Sequence, residues 1–228
     1  MSIDVTGILR KTSLLRSVPA EDLEAVAAAT RLRSFRRGQV VFTRSDPGET
    51  VIVVVSGQVK VTIRSADGAE LTLAIIHPGG MLGELGVVDG GPRSADAETL
   101  EECQLLLIPR DAIRDICARV PSAAQALTNS IAATTRRLTE VTADLVFLDL
   151  PRRVAKVLLS QPRGEDGTIR FRMSQEELAH QVGSTRQSVN AALRGFERRG
   201  WIEMHDRAVM VKQPTAMGRF AGTEMSGS

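Results

Sequence analysis

Two stretches of this 228-residue chain place side chains where they can bind anions. The first is Gly83-Glu84-Leu85-Gly86, followed after a turn by Arg93-Ser94-Ala95. A short helical turn bounded by glycines leaves backbone N–H groups unpaired, which suits a phosphate, and an arginine across the gap can hold the same phosphate with charge-assisted bonds. Glu84 can then accept a sugar hydroxyl. A Glu84–Arg93 ion pair closing a loop uses the same residues and stays open at this point. The second stretch is Ser174-Gln175-Glu176-Glu177 through Ser184-Thr185-Arg186-Gln187, two capping boxes separated by Gly183. Two capped helices joined through a glycine predict a helix-turn-helix. Its second helix carries Ser184, Thr185, Arg186, Gln187 and Asn190 near the N-terminus and Arg194 one turn on. Arginine reads guanine, Gln and Asn read adenine, and hydroxyls or amides hold phosphate, so double-stranded DNA is the predicted partner.

The elements that must position these residues follow from periodicity. Leu14, Leu23, Val26 and Ala27 fall on helical spacing, with Pro19 in a first turn, so residues before Phe35 read as short helices. From Phe35 to Pro109 the pattern changes to β-branched runs such as 51–55, 59–63 and 71–76, cut by turn signals at Gly38, Gly48, Gly57, Gly68, Gly79 and Gly90. That is the pattern of an antiparallel sandwich or roll. From about Ser122 to Leu148 one long helix is predicted. Leu127, Ile131, Thr134, Leu138, Val141, Leu145 and Leu148 follow a 4-3 heptad spacing, which predicts a parallel coiled-coil dimer seam with one polar member. Asp149-Leu150-Pro151 ends that helix and caps the next. After a turn at Gly164–Gly167 come a short strand at Ile169–Phe171, the helix-turn-helix, and a wing hairpin from residues 200–204 and 209–211 around His205-Asp206. The predicted organisation is α+β: a roll over 1–120, a dimerisation helix over 121–148, a winged helix-turn-helix over 149–212 and a disordered tail over 213–228.

Composition narrows the function. The net charge is −2 before Asp149 and +4 from it onward, a modest bias toward a polyanion at the C-terminal end. The beginning lacks the pattern of a cleaved leader, and no eighteen apolar residues run together, which predicts a cytoplasmic protein without a membrane partner. Cys103 and Cys117 are too few for an iron–sulfur cluster and read as small apolar residues, and His77 beside Pro78-Gly79-Gly80 reads as a turn histidine rather than a haem ligand. No metal is predicted. His77, His180 and His205 lie in three different elements, and no Walker loop, His-Glu-x-x-His or nucleophile elbow is present, which argues against an enzyme.

GELGVVDGGPRSA, FLDLPRRVAKVLL and MSQEELAHQVGSTRQSVNAAL together resemble the cyclic-AMP receptor protein/FNR family over about residues 10 to 212. The resemblance implies an allosteric homodimer that binds cyclic AMP and a palindromic operator, with RNA polymerase as a further partner. It assigns Glu84 to the ribose 2′-hydroxyl, Arg93 and Ser94 to the cyclic phosphate, and the amides near Gly83 and Leu85 to the same phosphate. The position touching the adenine amino group falls on Leu138, and the one reaching across the dimer on Thr139. Leu138 stands where the family has Thr, so the base half of the site departs from the pattern, and cyclic GMP, haem or no effector at all remain alternatives. In the recognition helix Arg186 matches, whereas Gln187 replaces a Glu and Ala191 an Arg, which implies a related but different operator.

Overall fold

The computed structural model describes residues 4–161, 169–171, 174–205 and 208–222. The chain divides into two compact units, Met1–Ile63 with Leu73–Leu138, and Arg64–Thr72 with Thr139–Ser228. In chain order the first half runs α1 (Val5–Arg10), α2 (Ala20–Ala29), β1 (Arg31–Phe35), β2 (Val40–Phe42), β3 (Thr50–Ser56), β4 (Val59–Arg64), β5 (Glu70–Ile76), β6 (Met81–Leu82), α3 (Leu85–Asp89), β7 (Asp96–Thr99) and β8 (Cys103–Pro109). It continues with α4 (Arg110–Arg119) and the long α5 (Pro121–Phe147). The second half holds α6 (Leu150–Leu159), β9 (Ile169–Phe171), α7 (Gln175–Val182), α8 (Arg186–Arg198), β10 (Ile202–His205), β11 (Ala208–Val211) and α9 (Pro214–Ala221).

Two antiparallel four-stranded sheets, β1-β8-β3-β6 and β2-β7-β4-β5, make the roll. β3 and β8 are central and buried on both faces, which is why they read as unbroken apolar runs. Val51 and Val53 of β3, with Leu106 and Ile108 of β8, turn toward the helices and meet Leu9, Leu23, Ile113 and Ile116. The alternate residues Ile52, Val54 and Leu105 meet Val59 and Ala97 of the other sheet. One strand pair thus anchors both layers through its period of two.

Three expectations are corrected here. Residues 31–34 form strand rather than helix, because Arg31–Phe35 pairs with Leu107–Cys103 across the sheet, a long-range partner that local spacing does not display. Leu127 is buried in the roll's own core rather than free for an intermolecular seam, and Ile131 packs in part against the same core. A 3.6-residue stripe fits a neighbouring core as well as a partner helix. The tail from Gln213 is helical over Pro214–Ala221, with Pro214 in the first turn. Met217 and Ala221 fall four apart and are buried in the second unit's core, and Phe220 packs against it. The turn at Gly164–Gly167, Asp206, and the last six residues, 223–228, lie outside the described residues.

The second unit is built on Val154, Leu158, Phe171, Leu178, Val189, Leu193 and Phe196. Asp149 caps α6, accepting from the Arg152 amide at 3.0 Å, as the Asp-Leu-Pro signal predicts. The β4–β5 tip belongs to this unit: Glu70 accepts from Arg64 at 2.9 Å and pairs with His180 Nδ1 of α7 at 3.3 Å.

Because α9 contributes core and not tail, Met217→Ala in the full chain should cost roughly 2–5 kcal/mol, as for other buried Met-to-Ala changes. Thermal unfolding followed by circular dichroism reads this directly, and an unchanged transition would return the segment to a disordered tail.

Candidate effector pocket and nucleic-acid interface

The Gly83-Glu84-Leu85-Gly86 turn and the Arg93-Ser94 segment come together at one cavity of about 280 Å³, lined by these residues with Phe42, Ile76, Leu82 and the α5 positions Ser130, Ala133, Thr134 and Arg137. The loop before β7 is held in place by its backbone: the Arg93 amide donates to Asp46 O at 2.8 Å, and Ser45 N to Arg93 O at 3.0 Å. Gly83 sits at φ +87°, where a side chain is strained, and a Cβ there would collide with Arg93 Nη1 and stand 3.0 Å from Thr50 O. The turn therefore needs glycine twice over, for conformation and for the approach of the guanidinium.

Arg93 is only 7% exposed. Its Nη2 donates to Thr50 Oγ1 at 2.8 Å and its Nη1 to Gly83 O at 3.3 Å, while Cζ lies 4.3 Å from the centre of the Phe42 ring. Its Nε is buried without a partner. Burial pulls the guanidinium below its ordinary pKa, against the opposing fields of Asp46 and Glu84. Glu84, also 7% exposed, accepts instead from Thr134 Oγ1 of α5 at 3.2 Å. The two buried charges are therefore not closed on each other as a loop ion pair. A largely buried cation that lines a cavity is suited to an anion.

The helix face turned into the cavity is Ser130, Ala133, Thr134 and Arg137, at i, i+3, i+4 and i+7. Leu138 and Thr139 are not among its lining residues in the single chain. Thr134, the polar member of the predicted seam, lines the cavity. Thr50 and Phe42 escaped sequence reading because nothing local marks them. The α5 face carried a signal, a run of small and polar residues at helical spacing.

The other interface forms as the sequence predicts, with one shift. Ser174 and Glu177 make the complete capping box: Glu177 N donates to Ser174 Oγ at 3.1 Å and Ser174 N to Glu177 Oε2 at 2.7 Å. Gly183 ends α7 in the left-handed conformation, φ 62°. The cap of α8 is Thr185, whose Oγ1 accepts from Ser188 N at 3.2 Å, so the Ser184–Gln187 box is not formed. Thr outcompetes Ser because helical geometry begins one residue later. Val189, Ala192, Leu193 and Phe196 turn inward, leaving Arg186, Gln187 and Arg194 exposed and Asn190 half-buried on the opposite face. β10, β11 and β9 form the wing sheet beside them.

A roll with an anion cavity, followed by a winged helix-turn-helix with an exposed polar recognition face, defines a ligand-responsive DNA-binding regulator. Residues 32–120 match the family described as Cyclic nucleotide-binding domain, and residues 152–220 the Crp-like helix-turn-helix domain. The chain is 36% identical over 220 residues to the CRP-like cAMP-activated global transcriptional regulator of Mycobacterium tuberculosis, covering 94% of this chain and 98% of that protein. It is 28% identical over 216 residues to the Cyclic AMP receptor protein of Thermus thermophilus, covering 93% and 98%. In fold it resembles the global regulator CLP of Xanthomonas campestris, with a TM-score of 0.75 at 23% identity, covering 85% of this chain and 99% of that one. The chain belongs to the cyclic-AMP receptor protein/FNR family of transcription regulators, with a cyclic-nucleotide-binding and a DNA-binding domain. Among the described residues no helix is long and apolar enough to cross a membrane.

Gly83→Ala tests the pocket's backbone requirement. Displacing Arg93 should weaken cyclic-nucleotide binding by about tenfold or more, on the order of 1.4 kcal/mol, in calorimetric titration, with the helix-turn-helix fold unchanged. Wild-type affinity in this variant would refute the geometric argument.

Proposed function

We propose that this protein is a homodimeric, allosteric transcription regulator whose effector is a purine cyclic nucleotide and whose target is a palindromic operator. Cyclic AMP is the first reading, supported by the family resemblance and by relatives named as cAMP-activated. The observation that carries it is Arg93: a guanidinium 7% exposed, with an unpartnered Nε, at a cavity that also holds the carboxylate of Glu84. The phosphate takes Arg93, the hydroxyl of Ser94 and the amides near Gly83 and Leu85, and the ribose hydroxyl takes Glu84. A ribose hydroxyl donating to Glu84 competes with Thr134 Oγ1, so ligand and long helix meet at one carboxylate. Two populated states that differ at this contact are what a ligand needs to shift an equilibrium. Cyclic GMP is the second reading, favoured by Arg137, a further cation in the cavity lining.

Homodimerisation is supported by apolar side chains of α5 that remain exposed: Val146 at 67%, Phe147 at 79%, and Leu138 and Leu145 at more than a third. Val141 and Leu148 remain candidates for the same seam. RNA polymerase as a partner and a cytoplasmic location follow from the regulator role. On DNA, Arg186 reads guanine, Gln187, Asn190 and Arg194 contact neighbouring bases or phosphates, and Ser184 and Thr185 approach the backbone.

Two measurements test this reading. Titration of the full-length protein with cyclic AMP should give saturable heat in the wild type and none in Arg93→Ala; equal binding by both proteins would remove Arg93 from the site. In binding assays on operator and unrelated duplexes, Arg186→Ala should lose sequence preference, worth about 1–3 kcal/mol per base contact, while keeping salt-sensitive nonspecific affinity. Retained preference would overturn the recognition-helix assignment.

A further inference from the structure

The cavity has a second cation that the phosphate does not require. Arg137 lines it on the same α5 face as Thr134, three residues further along the helix. Thr134 marks the ribose side through its bond to Glu84, and Arg137 lies about one helical turn further along the same cavity wall. Its Nε is buried without a hydrogen-bond partner. The next residue, Leu138, offers no hydrogen bond to a base from its side chain. Arg137 is the charged residue that α5 contributes to the cavity lining.

A guanidinium only donates, through a planar fork. Adenine presents N7 as acceptor beside an amino group that also donates, so it meets such a fork with one matching and one opposing group. A 6-oxopurine presents N7 and O6, two acceptors at the fork's spacing. We infer that Arg137 is the base-reading residue of this pocket and that it favours a 6-oxopurine cyclic nucleotide, making cyclic GMP a ligand of the same site. This rests on the cyclic-nucleotide reading of the Arg93 cavity and sharpens its unresolved half.

The test is calorimetric titration of the full-length protein with cyclic AMP, cyclic GMP and cyclic IMP, for wild type, Arg137→Leu, Arg137→Lys and Arg93→Ala. Wild type should bind cyclic GMP and cyclic IMP at least as tightly as cyclic AMP. Arg137→Leu should lose about tenfold or more for both 6-oxopurines and change less than about threefold for cyclic AMP, the discrimination a bidentate contact supplies. Arg137→Lys keeps the charge without the fork and should fall between them, which preserves the test if the leucine variant does not fold. Equal losses for all three ligands would place Arg137 on the shared phosphate or ribose and overturn the inference. Unchanged affinities would overturn it too, as would a loss for cyclic GMP without one for cyclic IMP, which would point to the 2-amino group. Arg93→Ala should abolish all three, and a wild type that binds none of them would instead overturn the effector reading on which this inference stands.

Discussion

A guanidinium keeps its proton in any folded protein, so burying Arg93 leaves a charge that must be answered by its surroundings. Much of the effector unit's detail follows from that constraint. Thr50 and the Gly83 carbonyl take two of its donors, Phe42 covers its face, and residue 83 must lack a side chain for the approach to occur. Glu84 lies near enough to stabilise the charge by its field but takes its hydrogen bond from Thr134. Its Nε stays buried without a partner, so this charge is answered only in part within the chain.

The long helix α5 is where this constraint meets the rest of the molecule. Its first turns are core, with Ala123 and Leu127 buried under the roll. Its middle turns present Ser130, Thr134 and Arg137 to the cavity. Its last turns expose Val146 and Phe147 before the Asp149 cap starts α6. One helix therefore changes occupation along its length, and a single contact at Thr134 ties its middle to the Glu84 carboxylate in the cavity. In the DNA-binding unit the division of labour is by face: the same α8 that buries Leu193 and Phe196 presents Arg186, Gln187 and Arg194 to solvent.

Local signals were sufficient wherever a residue's partner lies within a few positions. The Ser174–Glu177 box, the Gly183 turn, the Asp149 cap and the period-two runs of β3, β4 and β5 all form as read, because capping, αL geometry and pleat alternation are settled within one turn or one strand. The α8 cap moved by one residue, from Ser184 to Thr185, since two adjacent hydroxyl residues give the same local signal.

By itself the sequence determined the central strands, the long helix, the helix-turn-helix and its exposed side chains, and the juxtaposition of Glu84 with Arg93 and Ser94 across one turn. Tertiary structure decided what those elements face. It drew Arg31–Ser34 into a sheet, folded Pro214–Ala221 onto the second core, buried Leu127 in the roll, and turned Thr134 and Arg137 into the cavity. The physical reason is common to all four: helical and strand periods say that one face will be buried, while the surface that buries it comes from residues far away in the chain.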